Sequence, residues 1–175
     1  MARALLVIDV QKGMFSVPAF QPFDGEAVVA RIAQMIAAAR ASGTAIFFVQ
    51  HDGGPGHPLS AECAGFPFRE EVAPRKNDIV IVKRRCSAFQ DTALEEKLRA
   101  AGIDSVIVCG MQTEYCVDTA VRAAFERGFA VTLVADAHTT GDTAVLHAKD
   151  IVAHHNATLT NFAAVVPAAE IGFTR

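Results

Sequence analysis

Residues 105–134 read SVIVCGMQTEYCVDTAVRAAFERGFAVTLV, and this stretch decides the fold. Ser105–Cys109 is a short apolar run, rich in β-branched residues. It reads as a strand covered on both faces, because a half-exposed strand would alternate apolar and polar residues. From Cys116 to Arg127 the period changes. Val117, Ala120, Val121, Ala124 and Phe125 fall at i, i+3, i+4, i+7 and i+8, which is one stripe of a helix. Asp118, Arg122 and Glu126 recur at i+4 on the other side. Gly128 supplies a C-terminal stop, and Ala130–Val134 is a second apolar strand. Apolar strands joined by an amphipathic helix build a parallel sheet with helices on its faces.

The same alternation extends in both directions. Leu5–Val10, Ala45–Gln50 and Ile79–Val82 read as strands, and a sixth is expected within Thr158–Val166. Glu26–Ser42 is a helix with Val29, Ile32, Ile36 and Ala39 along one stripe and Gly43 after it. Thr92 and Glu95 match a capping box that opens a helix to Ala101, and Thr143–His154 is a further helix. His51–Pro74 carries Pro55, Pro58, Pro67 and Pro74 and is too long for a plain connector, so it reads as a binding loop or lid. There is no repeat, low-complexity tract or linker. The expectation is one α/β domain over residues 1–175, a three-layer α/β/α sandwich.

Composition narrows the function classes. Hydrophobic residues make up 51% and charged residues 20% of the chain, which excludes a disordered protein. No apolar run nears the roughly 18 residues of a membrane span, and no signal peptide is evident. With a net charge of −3 and no basic block longer than Lys83-Arg84-Arg85, neither a nucleic-acid nor a membrane partner is expected. Cys63, Cys86, Cys109 and Cys116 form no CxxC pair, so no structural zinc site is expected, and without a secretion signal they read as reduced thiols of a cytoplasmic protein.

In open α/β sheets ligands bind outside the carboxyl ends of the strands. Asp9 ends the first strand in LLVIDVQ, where a buried charge needs a partner; Lys83 ends the third in VIVKRRCSAF and is the cation to look for. Cys116 follows the fourth strand and begins a helix, where the macrodipole would lower its pKa. Each residue alone has a bland reading: a turn aspartate, a solvated lysine, a small buried thiol. Together they suit nucleophilic catalysis, with a thiolate that attacks, a carboxylate that carries the proton and an ammonium that holds both. Cys109, closing VIVC, reads as core. His51 ends the second strand at the same edge and is a candidate substrate contact, whereas His138 has a weaker claim.

LLVIDVQ, VIVKRRCSAF and GMQTEYCVDTAVRAAFERGFAVTLVADA, in this order, resemble the isochorismatase-like cysteine hydrolase superfamily from Leu5 to about Val166. The resemblance implies six parallel strands in the order 3-2-1-4-5-6 and a Cys–Asp–Lys triad of Cys116, Asp9 and Lys83. That order sets the first and fourth strands side by side, while Lys83 comes from farther out. It also implies a cis peptide at Met111–Gln112, turning backbone N–H groups of Gln112 and Cys116 toward the substrate carbonyl as an oxyanion hole. A homo-oligomer, dimer or tetramer, is expected on the same grounds. Substrate-contact candidates are Phe15, His51, Phe89 and Tyr115, with ordinary core the competing reading for the aromatics.

The reaction expected is cleavage of a C–N bond in a small amide through a Cys116 thioester. One alternative is hydrolysis of a vinyl ether with Asp9 as acid, which does not use the thiol. The other is a binding or redox-sensing module with a reactive thiol. No cofactor is expected. Nicotinamidases of the superfamily bind a metal through an Asp-x-His element, but QHDGGPGHP does not match it in register, so His51, Asp52 and His57 are not expected to hold one. Chelator-treated protein should therefore keep its activity on its substrate. Loss of activity, restored by zinc, iron or manganese, would overturn this.

Overall fold

The computed structural model describes residues 2–17 and 20–173. Met1, Pro18, Ala19, Thr174 and Arg175, all within the expected domain, lie outside them. The first strand, β1 (Arg3–Ile8), shows why the strands are continuously apolar: Leu6 and Ile8 enter one core, and Leu5 and Val7 enter another on the opposite face. The other strands are β2 (Ala45–His51), β3 (Ile79–Lys83), β4 (Ser105–Met111), β5 (Ala130–Thr139) and β6 (Ala164–Val166). They form one parallel sheet in the order β3-β2-β1-β4-β5-β6, as the resemblance implies.

The helices are α1 (Gly13–Ser16), α2 (Gly25–Ser42), α3 (Leu94–Ala100), α4 (Asp118–Glu126) and α5 (Ala148–Thr158). The α2 stripe of Val28, Val29, Ile32, Met35, Ile36 and Ala39 covers one face of the sheet with Phe48, Ile107 and Cys109. On the other face Leu94 and Leu98 of α3 and Ala120, Val121 and Ala124 of α4 pack with Phe47, Val49 and Leu133. The result is the expected three-layer sandwich. No helix among the described residues is long and apolar enough to cross a membrane.

Two helix starts differ from the sequence expectation because a side chain captures local backbone, and β5 runs longer than expected. There is no capping box at Thr92: its hydroxyl donates to the Ala88 carbonyl at 2.6 Å and Glu95 pairs with Arg127, so α3 starts at Leu94. Thr143 Oγ1 accepts the N–H groups of Val145 and Leu146, and Asp142 accepts that of Ala148 at 2.8 Å, which delays α5 to Ala148. Strand β5 runs past Val134 through an irregularity in its register with β4 and rejoins at Gly110↔His138 and Met111↔Thr139. The polar sequence ADAHTT hides that extension.

Gly110 sets the closest approach in the sheet. Its φ is +125°, and a Cβ there would lie 2.0 Å from the Ile8 carbonyl oxygen of β1. Only glycine lets β4 run this close to β1 and still leave the sheet beside it. Gly110→Ala should lower unfolding stability by about 3 kcal/mol or more, or prevent soluble folding. Urea denaturation matching the wild type would contradict this.

Candidate active site

The site begins where β1 ends. Asp9 takes the left-handed conformation, φ 52°, which Asp tolerates better than most residues, so the chain turns sharply as it leaves the sheet. Gln11 holds that turn. Its side-chain amide donates to the carbonyls of His51 (3.0 Å) and Phe66 (2.7 Å), and its oxygen accepts the His51 N–H at 2.8 Å. This fully buried glutamine splices the segment after β1 to the end of β2. Within LLVIDVQ nothing in the pattern marks Gln11 for this role.

Lys83 ends β3, two strands from Asp9, a separation of roughly 10 Å in the sheet. The long lysine side chain crosses it. Its ammonium lies 2.8 Å from Asp9 Oδ2, 3.1 Å from Cys116 Sγ, 3.0 Å from the Arg85 carbonyl and 3.4 Å from His51 Nδ1. Asp9 and Lys83 are 0% and 1% exposed. So the three residues picked out as a triad do converge, and the one from farthest out is the hub. Lys83 and the Cys116 thiol are the groups that face the Asp9 carboxylate.

Cys116 differs from expectation in two ways. It does not begin a helix but lies within a π-helical turn, Thr113–Val117, that leads into α4. It is also only 8% exposed. Burial pushes its thiol up from the ordinary value, the Asp9 charge adds to this, and Lys83 opposes it. Desolvation therefore outweighs any helix-terminus effect, and the resting group is a neutral thiol. Burial likewise raises the Asp9 carboxyl, with Lys83 pulling it down. The Lys83 ammonium is disfavoured by burial, but Asp9 and Cys116 together outweigh that and raise its pKa. His51 is lowered to about 4 by burial and by the Lys83 charge, so it is neutral at pH 7.

The turn carrying Cys116 is fixed from beneath. Thr113 Oγ1 lies 2.9 Å from His138 Nδ1, and His138 Nε2 lies 2.9 Å from Asn156 Oδ1. Burial lowers His138 to about 4. A neutral ring therefore accepts from Thr113 and donates to Asn156. The peptide Met111–Gln112 is cis, as expected. Met111 is fully buried in the core, whereas Gln112 reaches the cleft.

Asp9 and Cys116 open onto a cleft of about 310 Å³. Of the four substrate-contact candidates, His51 and Tyr115 line it. Phe15 and Phe89 do not. Phe15 lies under the Arg69 guanidinium, 4.5 Å from its centroid, and packs against the α2 core. Phe89 is buried in the opposite core, 6.1 Å from the Phe129 ring. Both are structural aromatics. Sequence reasoning assigned no contact role to Met14, Val17 and Leu59, which also line the cleft. Their signal was position: the first two lie in the segment that leaves the carboxyl end of β1, where a parallel sheet receives its ligand. The loop after β2 is tethered, not a free lid. Phe66, Pro67 and Gly65 carbonyls accept bonds from Gln50, Lys12 and Gly13. Among the described residues no group of three His, Cys, Asp or Glu is placed to hold a metal.

The family model described as the isochorismatase domain matches residues 3–170. The streptothricin hydrolase of Streptomyces noursei is 36% identical over 80% of this chain, which spans only 50% of that relative's length. The ureidoacrylate amidohydrolase RutB of Stutzerimonas stutzeri is 30% identical over 77% of this chain and 68% of its own. The crystal structure of an isochorismatase from Pseudomonas putida superposes with a TM-score of 0.93 at 35% identity, over 97% of this chain and 90% of that one.

The ion pair makes a prediction about stability. A carboxyl whose folded pKa exceeds its unfolded value binds its proton more readily when folded, so stability falls as pH rises above the usual carboxylate range. Replacing Lys83 removes the cation that restrains this shift. Lys83→Met should lose about 3–5 kcal/mol at pH 8 and clearly less at pH 5, read by urea denaturation. A loss equal at both pH values would mean that Asp9 is not the group left unpaired.

Proposed function

The chain belongs to the isochorismatase family, and from that premise we propose that it is a cysteine hydrolase cleaving the C–N bond of a small amide through a thioester on Cys116. One observation carries the reading: a single buried ammonium contacts both a carboxylate and a thiol at the edge of a cleft. Two relatives named as hydrolases, one of them an amidohydrolase, support the bond type.

Asp9 takes the thiol proton as Cys116 Sγ attacks the carbonyl carbon. Its raised pKa suits that role, since a carboxylate of ordinary acidity is a poor base toward a thiol. Lys83 stays protonated and offsets negative charge as it moves from oxygen to sulfur. Backbone N–H groups of Gln112 and Cys116 receive the oxyanion. Asp9 then gives its proton to the leaving amine, and water, deprotonated by Asp9, cleaves the thioester. The reaction belongs in a reducing cytoplasm, where the thiol persists, and in a homo-oligomer, dimer or tetramer.

Ammonia release from a panel of primary amides, ureido acids and nicotinamide tests the reading. Cys116→Ala and Asp9→Asn should each lose at least about 1,000-fold in kcat on whichever substrate turns over. The wild-type acid limb of kcat/KM should lie above the ordinary aspartate value of 3.8, because only ionised Asp9 accepts the proton. Activity retained in Cys116→Ala but lost in Asp9→Asn would favour acid catalysis of vinyl-ether cleavage instead. Labelled Cys116 with no turnover on any substrate would favour a reactive-thiol module.

A further inference from the structure

Two kinds of residue line the cleft. The polar-capable ones are the reacting pair Asp9 and Cys116 with Gln112, His51, His57, Cys86 and Tyr115. The apolar part, its acyl wall, comes from Met14, Val17, Phe20, Pro58 and Leu59, none with a polar side-chain atom able to hydrogen-bond strongly. Gly13 brings these segments together: a Cβ on it would lie 2.5 Å from Leu59 Cδ2. With the scissile carbonyl at Cys116, these apolar side chains are what the acyl group of an amide would meet in the same cleft.

No free charge serves that wall among the described residues. No lysine or arginine lines the cleft. Lys83 lies behind Asp9 and Cys116, its charge matched by Asp9 at 2.8 Å. Arg84 turns to Asp52 at 3.1 Å, and with Arg85 it borders a separate hollow beside Val82 and Asp91. Arg69 is held between Glu26 and Glu71. Of the two histidines of the cleft, His51 is neutral at pH 7, and His57 Nδ1 is occupied by the Leu59 N–H at 3.1 Å. A substrate carboxylate would lose its hydration here and meet no cation; a substrate ammonium would meet no unpaired anion, since Asp9 is engaged by Lys83 and Asp52 by Arg84.

We infer that the cleft selects an uncharged, apolar acyl group, so the substrate is a neutral carboxamide with a small alkyl or aryl acyl part and not a dicarboxylic or ureido acid. This deepens the amide-hydrolase reading and rests on it. A cleft of about 310 Å³ is at the small end of ligand sites, which limits the acyl group to a modest size.

Two experiments separate this inference from the reading beneath it. The first compares ammonia release from pentanamide, succinamate and 4-aminobutanamide, which share a similar length. Pentanamide should exceed both charged amides by at least about 100-fold in kcat/KM, and Met14→Arg should reduce its lead over succinamate at least about 10-fold. The second needs no turnover: iodoacetamide and iodoacetate are a neutral and an anionic alkylating agent of nearly equal size. Their rate ratio at Cys116, normalised to the same ratio at the exposed Cys63, should favour iodoacetamide by at least about 100-fold, and Met14→Arg should narrow it. Equal normalised rates, or succinamate turned over as well as pentanamide, would overturn the inference. Selective alkylation with no ammonia from any amide would uphold the neutral cleft and overturn the hydrolase reading.

Discussion

One buried ammonium organises this molecule. Lys83 touches a carboxylate, a thiol and a carbonyl within about one hydrogen-bond length, in a place where water cannot substitute for any of them. Each contact fixes a different part of the chain. Asp9 ties in the end of β1, Cys116 the turn after β4, and Arg85 the segment after β3. The unusual backbone lies where these pieces must converge. Asp9 adopts a left-handed φ, Gly110 passes against the Ile8 carbonyl, and Gln11 replaces a strand pairing with its own amide. A sheet with a merely apolar edge would need none of these.

Burial also sets the reactivity. A dipole argument applied to Cys116 gives an acidic thiol, yet the group is desolvated and its neutral form is favoured. The same dryness raises Asp9, so thiol and carboxyl shift in the same direction and the proton transfer between them stays feasible. A thiol kept neutral at rest is less open to stray alkylation and oxidation than a permanent thiolate. In the proposed reaction it becomes a nucleophile only when a base beside it takes the proton, and the Lys83 charge would compensate the carboxylate first and the thiolate next.

The sheet was legible because parallel strands buried on both faces leave continuous apolar runs, and α2 and α4 because their stripes are clear. Their order, and the convergence of Asp9, Lys83 and Cys116, were legible through motifs that resemble a known family. Period alone would not bring Lys83 across β2 to Asp9. The failures share one cause, the choice made by a side chain between competing partners. Thr92 and Thr143 bond nearby backbone and move helix starts; Phe15, on the single turn of α1, and Phe89, in the segment after β3, lie near the site yet face the two cores. An aromatic residue in so short or irregular a segment carries no mark of which way its ring turns. The cleft's apolar wall was hidden for the same reason: Met14, Val17 and Leu59 look like ordinary core residues.

On the proposed reading the fold separates chemistry from selection. Asp9, Lys83 and Cys116 rest on strand ends and on a turn braced through Thr113, His138 and Asn156. The apolar residues of the cleft come from two connecting segments, one after β1 and one after β2, which the sheet itself does not need. Yet the two segments are joined, since Gly13 N–H donates to the Gly65 carbonyl and Lys12 N–H to that of Pro67. A change in one must be matched in the other. Substitution of a single wall residue can therefore alter what the cleft admits, whereas a change of backbone length on either side would strain the splice through Gln11 and reach Asp9. Selectivity is free to vary in side chains before it can vary in loops.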